Sequence, residues 1–125
     1  MDISTLIPTD RVIEIKHPQT EQPLGIRVTI VSLNDEKMKP IRKRIVNKRL
    51  ELEKRGKNFK ADEIEENELE ILVGSVTSWE WYDSTFHGEI PVFNEKNVRQ
   101  VFAELPWFKE QVAEAVGDEK AFFQG

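Results

Sequence analysis

The chain has 125 residues, of which 33% are charged and 38% hydrophobic, and its net charge is −5. That length gives one domain with a core that needs no covalent staple, and the absence of cysteine excludes disulfides, thiol nucleophiles and cysteine-based zinc sites. The acidic balance weighs against nonspecific nucleic-acid binding; with no secretory leader pattern and no apolar run near the ~20 residues of a membrane span, a soluble, intracellular protein with no membrane partner is expected.

In chain order, Arg11–Lys16 is short and rich in β-branched residues, and 24–31 alternates, with Ile26, Val28 and Ile30 on one face. The proline-bounded stretch 17–23 joins them, so 11–31 reads as a β-hairpin with a seven-residue loop. Two strands alone are marginal in water, so this hairpin must lie on helices or pair with another chain. Residues 34–56 read as a helix, with Ser32 or Asn34 as cap and Pro40 either near its true start or at a kink. Its apolar stripe is thin (Ile41, Ile45 and Leu52), and Gly56 stops it.

A second helix is expected over 61–82, carrying Leu69, Leu72, Val73 and Val76 at helical spacing. Gly74 inside it costs about 1 kcal/mol against alanine, which points to a close neighbour. Residues 83–125 then hold an aromatic loop and two helices. Asn94 caps the first of these, with Val98, Val101, Phe102 and Leu105 on one side; Pro106 opens the second, with Phe108, Gln111, Val112 and Ala115 on one side. The fold class is therefore α+β: mainly helical, about four helices with an N-terminal β-hairpin, in one domain. Large aromatic side chains dominate core energetics, so Trp79, Phe93, Phe102 and Trp107 are the expected hub.

The two middle helices differ in charge. From Lys37 to Lys60 there are 11 basic and two acidic residues; from Ala61 to Glu80 there are seven acidic residues and no basic one. An antiparallel pair with complementary surfaces follows, in which Ile41, Ile45 and Leu52 meet Leu69, Leu72 and Val76. The blocks could equally pair between subunits as a homo-oligomer. Arg42, Arg44, Lys48 and Arg49 could form a phosphate-binding face, but neighbouring carboxylates make nucleic acid an unfavourable partner.

His17 and His87 show no metal-ligand spacing, and serine-nucleophile and phosphate-loop signatures are absent. No enzyme, no cofactor and no metal is expected. If 61–82 is helical, Trp79 and Trp81 face different sides, one in the core and one partly exposed. With Trp107 they are the aromatic candidates for a partner interface.

Several residues of the second half carry a resemblance: Glu68-Leu69, Val76, Trp79-Glu80-Trp81, Gly88, Pro91, Phe93, Asn97, Phe102 and Pro106-Trp107. This pattern resembles the phage tail assembly chaperones of long-tailed double-stranded DNA phages. It covers most of 24–123 and rests on packing and turn residues. It departs from the family pattern where Glu70 or Ile71 stands in place of alanine. The resemblance implies a host-cytoplasmic protein that binds the tape measure protein, keeps it soluble, helps recruit the tail tube protein and is absent from the mature virion. It also implies a longer form made by −1 frameshifting, for which Ala121-Phe122-Phe123 could encode the slippery run; the simpler reading of Phe122-Phe123, and the favoured one, is a tail anchor. Rival readings are a structural virion component (tail completion or connector protein) and a nucleic-acid-binding adaptor using the basic helix.

Overall fold

The computed structural model describes residues 2–56 and 61–123, with the backbone alone for 61 and 62. Three strands, β1 (Arg11–Lys16), β2 (Pro23–Ile30) and β3 (Val76–Trp81), form an antiparallel sheet in the order β1-β2-β3. Four helices, α1 (Lys39–Lys54), α2 (Ala61–Ser75), α3 (Glu95–Glu104) and α4 (Pro106–Gly117), complete the fold. The protein is α+β and mainly helical, with an N-terminal β-hairpin.

The hairpin loop is six residues rather than seven, because β2 begins at Pro23. His17 organises it: its Nδ1 accepts from the backbone N–H groups of Gln19 and Thr20 at 3.0 and 3.2 Å. The third strand comes from 76–81, where the sequence pattern favours helix. The helical stripe runs unbroken from Leu69 to Val76, but α2 stops at Ser75. The Ser75 side chain bonds back to Leu72 O at 2.6 Å, and its carbonyl accepts from Val31 N at 2.9 Å. The next six residues, Val-Thr-Ser-Trp-Glu-Trp, suit a pleated half-buried surface better than a helix. They pair Ile26 with Trp81 and Val28 with Trp79. This third strand removes the instability of an isolated hairpin.

One sheet face is buried. Ile15, Ile26, Val28, Ile30, Val76 and Trp81 lie under α2, α3 and α4, whose Leu72, Val73, Val98, Val101, Phe102, Phe108, Val112 and Val116 complete the core. The other face is polar and open, as is common for antiparallel sheets. There Glu14, Arg27 and Glu80 are direct cross-strand partners, with Arg27 Nε 2.9 Å from Glu14 and its guanidinium 4.4 Å from the Tyr82 ring centre. The Tyr82 hydroxyl also donates to Glu14 at 3.0 Å, which pushes its pKa up. This is ordinary cross-strand pairing on a wet face.

The outer edge of β1 is guarded. The Gln111 side-chain amide accepts from Lys16 N at 2.9 Å and donates to Lys16 O at 2.8 Å, occupying the main-chain groups that a further strand would use. At the other end of the strand, Thr9 N donates to Phe122 O at 2.7 Å. Phe122 is fully buried and Phe123 exposed, so the tail is anchored through the first of the two.

Helix α1 starts later than expected. Asp35 caps a short 3-10 turn at Glu36–Met38, and α1 proper begins at Lys39, which puts Pro40 in its first turn. Ser32 and Asn34 are not its caps; both donate to Glu119 Oε1, at 2.7 and 3.1 Å, tying the β2–α1 connection to the tail. Asn94 does cap α3, its Oδ1 accepting from Asn97 N at 2.7 Å.

The aromatic hub is displaced from its expected centre. Phe108, fully buried, lies 6.0 Å from Trp81 in a stacked arrangement, 6.0 Å from Phe102 and 6.1 Å from Trp107. Trp79 is half-buried and makes edge contacts with Trp81 and Phe93 at 5.6 and 5.7 Å. Phe93 and Trp107 belong to the rim. The centre is the Trp81–Phe108 stack, and only Phe102 of the expected four is fully in the core.

Candidate partner-binding site

Helices α1 and α2 run antiparallel. Ile41 sits on Gly74, where an added Cβ would fall 2.1 Å from Ile41 Cδ1, and three residues further along α1 Arg44 pairs with Glu70. The close approach expected at Gly74 is therefore made by α1. Ile45 and Leu52, the other apolar residues expected on this side of α1, are half-buried. Leu72 and Val76 belong to the core under the sheet and Leu69 packs against it. No residue of α1 is buried.

The basic residues singled out from the sequence all lie on this unburied helix. Arg42 donates to Asn34 Oδ1 at 3.3 Å, Arg49 pairs with Glu53 within α1 at 3.3 Å, and Lys48 is exposed. Among the described residues Arg44–Glu70 is the only ion pair crossing from α1 to α2, and Lys43, Lys48 and Lys54 make none. On α2, Glu66 is drawn to Arg99 of α3 at 2.8 Å, while Glu65 and Glu68 have no ionic partner among the described residues. Most charges of the two blocks thus have partners on their own helix or on other elements, and Lys43, Lys48, Lys54, Glu65 and Glu68 are the exceptions among the described residues.

One tryptophan is core and the other partly exposed, as expected, but on a strand rather than a helix. On a strand, residues two apart share a face, so Trp79 and Trp81 both point to the inner side of the sheet. Trp81 is 5% exposed and is core, not an interface residue. Trp79 is held at the rim, its indole N–H donating to Pro91 O at 3.1 Å. Trp107 is half-buried beside Phe108. Around Trp79 the loop exposes Ile90, Val92 and Phe93, with Asn97 Nδ2 bracing Val92 O at 2.8 Å.

His87 has a left-handed backbone (φ 53°) and its Nε2 lies 2.7 Å from Glu104 Oε1, so it fastens the loop to the end of α3. Hydrogen bonds from Gln100 and, second, from His87 hold the Glu104 carboxyl below its ordinary pKa. No group of three or more potential metal ligands occurs among the described residues.

The surface best shaped for a partner is one the sequence pattern did not single out. Between α2 and α4 runs a groove of about 340 Å³ walled by Leu33, Ile71, Leu72, Ala113 and Val116. Glu68 stands on its α2 rim and Lys109 on its α4 rim. Two turns back from Ile71 on the same side of α2, Ile64 remains 47% exposed and prolongs the apolar track. A signal was present: Ile64 and Ile71 fall seven apart and off the Leu69–Leu72–Val73 stripe, giving α2 a second apolar side. An open groove of this kind takes the apolar face of a helix through anchors at helical spacing.

Searches against protein-family models, curated proteins and solved structures return no match to this chain.

Proposed function

We propose that the protein is a phage tail assembly chaperone that holds apolar helical segments of the tape measure protein. The observation that carries this reading is the apolar α2–α4 groove, open to solvent and edged by charges of both signs. A holdase must cover exposed apolar faces reversibly, which calls for an apolar floor with polar rims rather than a deep enclosed cavity. Some of the residues behind the family resemblance give further support, because they hold one loop together: Trp79 donates to Pro91 O and touches Phe93, and Asn97 braces Val92 O. That unit fastens the loop before α3 to the rim of β3. Recruitment of the tail tube protein, action in the host cytoplasm and absence from the finished virion follow from the same reading.

Co-expression tests it. The soluble yield of a tape measure fragment should rise with the wild-type chain and fall back with Ala113→Glu. Ala113 is exposed on a helix, so the substitution blocks the groove without disturbing the core. A fragment equally insoluble with and without the wild-type chain contradicts the proposal.

A further inference from the structure

Ahead of β1 the chain exposes three large aliphatic side chains, and their segment is rooted beside one end of the α2–α4 groove. Ile3, Leu6 and Ile7 are 74%, 55% and 66% exposed. Their spacing of i, i+3 and i+4 sets them on one side of a helical turn. Such a turn is already started: Asp2 Oδ1 accepts from Ser4 N at 3.0 Å, and Leu6 N donates to Ile3 O at 3.1 Å. Pro8 stops its continuation. The root of the segment is fastened, with Thr9 N donating to Phe122 O at 2.7 Å and Asp10 paired with Lys37 at 3.4 Å. The groove ends at the same corner. Gly117 lines it, the tail from Glu119 to Phe122 follows directly, and Ser32 and Asn34, on either side of the groove wall residue Leu33, both donate to Glu119.

We propose that residues 2–8 are a strap that folds back into the α2–α4 groove of its own molecule and closes it. The structure holds the strap open, with its aliphatic side chains in solvent. The reach fits. From Lys109 to Gly117, α4 rises about 12 Å; one helical turn over 3–6 followed by two extended residues spans about 13 Å. The charge fits as well. A strap entering from Thr9 at the Gly117 end brings Asp2 to the Lys109 end, and Lys109 has no ionic partner among the described residues. Ile3, Leu6 and Ile7 then turn onto Ile71, Leu72 and Val116, as anchors of a short helix in an apolar groove. Thr9 and Asp10 stay in place, so the strap pivots about Pro8 and the sheet is unaltered. Because the contact is tethered, a small apolar surface suffices to compete with a free helix. A client must displace the strap, so the empty groove is shielded from nonspecific apolar contacts. That consequence rests on the groove being the client site; the closure itself does not.

The chain has no cysteine, so a pair introduced by substitution forms the sole thiol pair. In full-length Leu6→Cys/Ala113→Cys, mild oxidation at low protein concentration should give an internally cross-linked monomer, read by mass and by gel mobility without reductant. Leu6→Cys/Val92→Cys is the control: Val92 is 71% exposed on the loop before α3, and this pair should cross-link far more slowly. Equal rates in the two pairs, or disulfides only between molecules, overturn the strap. A second readout needs no cross-link. In Leu6→Ser/Ile7→Ser, with the fold checked by circular dichroism, the apolar dye 1-anilinonaphthalene-8-sulfonate should bind more tightly, although two apolar side chains are lost. A groove shut in half of the molecules gives a gain of about twofold, and adding Ala113→Glu should remove it. Dye binding unchanged or weakened in the serine variant overturns the proposal. Internal cross-linking in a chain that fails to solubilise a tape measure fragment supports the strap and contradicts only the client reading.

Discussion

The sheet with α2, α3 and α4 is built on a different principle from helix α1. In the first, apolar residues at strand or helix period converge on the Trp81–Phe108 stack, and Val28, Val101, Phe108 and Val112 are fully buried. In α1 no residue is fully buried; it is held by half-buried Ile41 against Gly74, one ion pair to α2 among the described residues, with Glu70, and the favourable helix propensity of its residues. The body is specified by burial, which is strong and non-directional. The arm is left to weak surface terms, which frees its apolar and charged side chains for contacts outside the chain. A protein that must grip and release partners has reason to keep such an arm.

Substitutions in the two regions should therefore separate sharply. Phe108→Ala in the body should cost about 3–5 kcal/mol, as expected for truncation of a fully buried aromatic ring. Leu50→Ala on the arm should stay within about 0.5 kcal/mol. Urea denaturation of both variants measures the gap, and equal losses would erase the distinction.

The next effect in size is at Gly25, whose left-handed backbone (φ 77°) lets the end of β2 meet Asp83 closely. An added Cβ would lie 2.2 Å from Asp83 Cβ and 2.8 Å from its Cα. Gly25→Ala should cost about 1–3 kcal/mol from backbone strain alone, with the clash in addition. Its melting temperature should fall below that of Gly56→Ala, where no described residue lies within 4 Å of the new methyl. On the arm, Arg44→Ala should lose about 0–1 kcal/mol, because Arg44 is 64% exposed and its pair with Glu70 is screened.

The smallest effect is electrostatic. Glu104 has a folded pKa below its ordinary value, so its contribution is present above the ordinary value and is lost as the pH falls through the folded pKa. Gln100→Ala should raise the Glu104 titration midpoint seen by NMR, and His87→Ala should raise it less, following the order of the two hydrogen bonds.

The same division governs how much could be read from the sequence. Where burial has a period, the elements were legible: the hairpin with Ile26, Val28 and Ile30 inward, α3 behind Asn94, and α4 from Pro106 with Phe108, Val112 and Ala115 inward. The join at Ser75 was not, because Val76 serves both as the last member of a helical stripe and as the first of a strand. The partner strand β2 lies about 50 residues earlier, and no local pattern carries that pairing. Misreading 76–81 also misassigned Trp81 to an interface. The candidate groove was missed for a related reason. It needs two helices at once, and Ala113 and Ile71 look unremarkable until α4 lies beside α2. The charge blocks were plain in the sequence, but Glu66 is taken by Arg99 of α3, which only the packing decides.

The most direct test of the chaperone reading is hydrogen exchange on the full chain, free and with a soluble tape measure fragment bound. Exchange should slow in the Ile64–Leu72 stretch of α2 and the Lys109–Gly117 stretch of α4, while the open face of the sheet is unchanged. Protection confined to that sheet face, or no protection anywhere despite excess fragment, would contradict it.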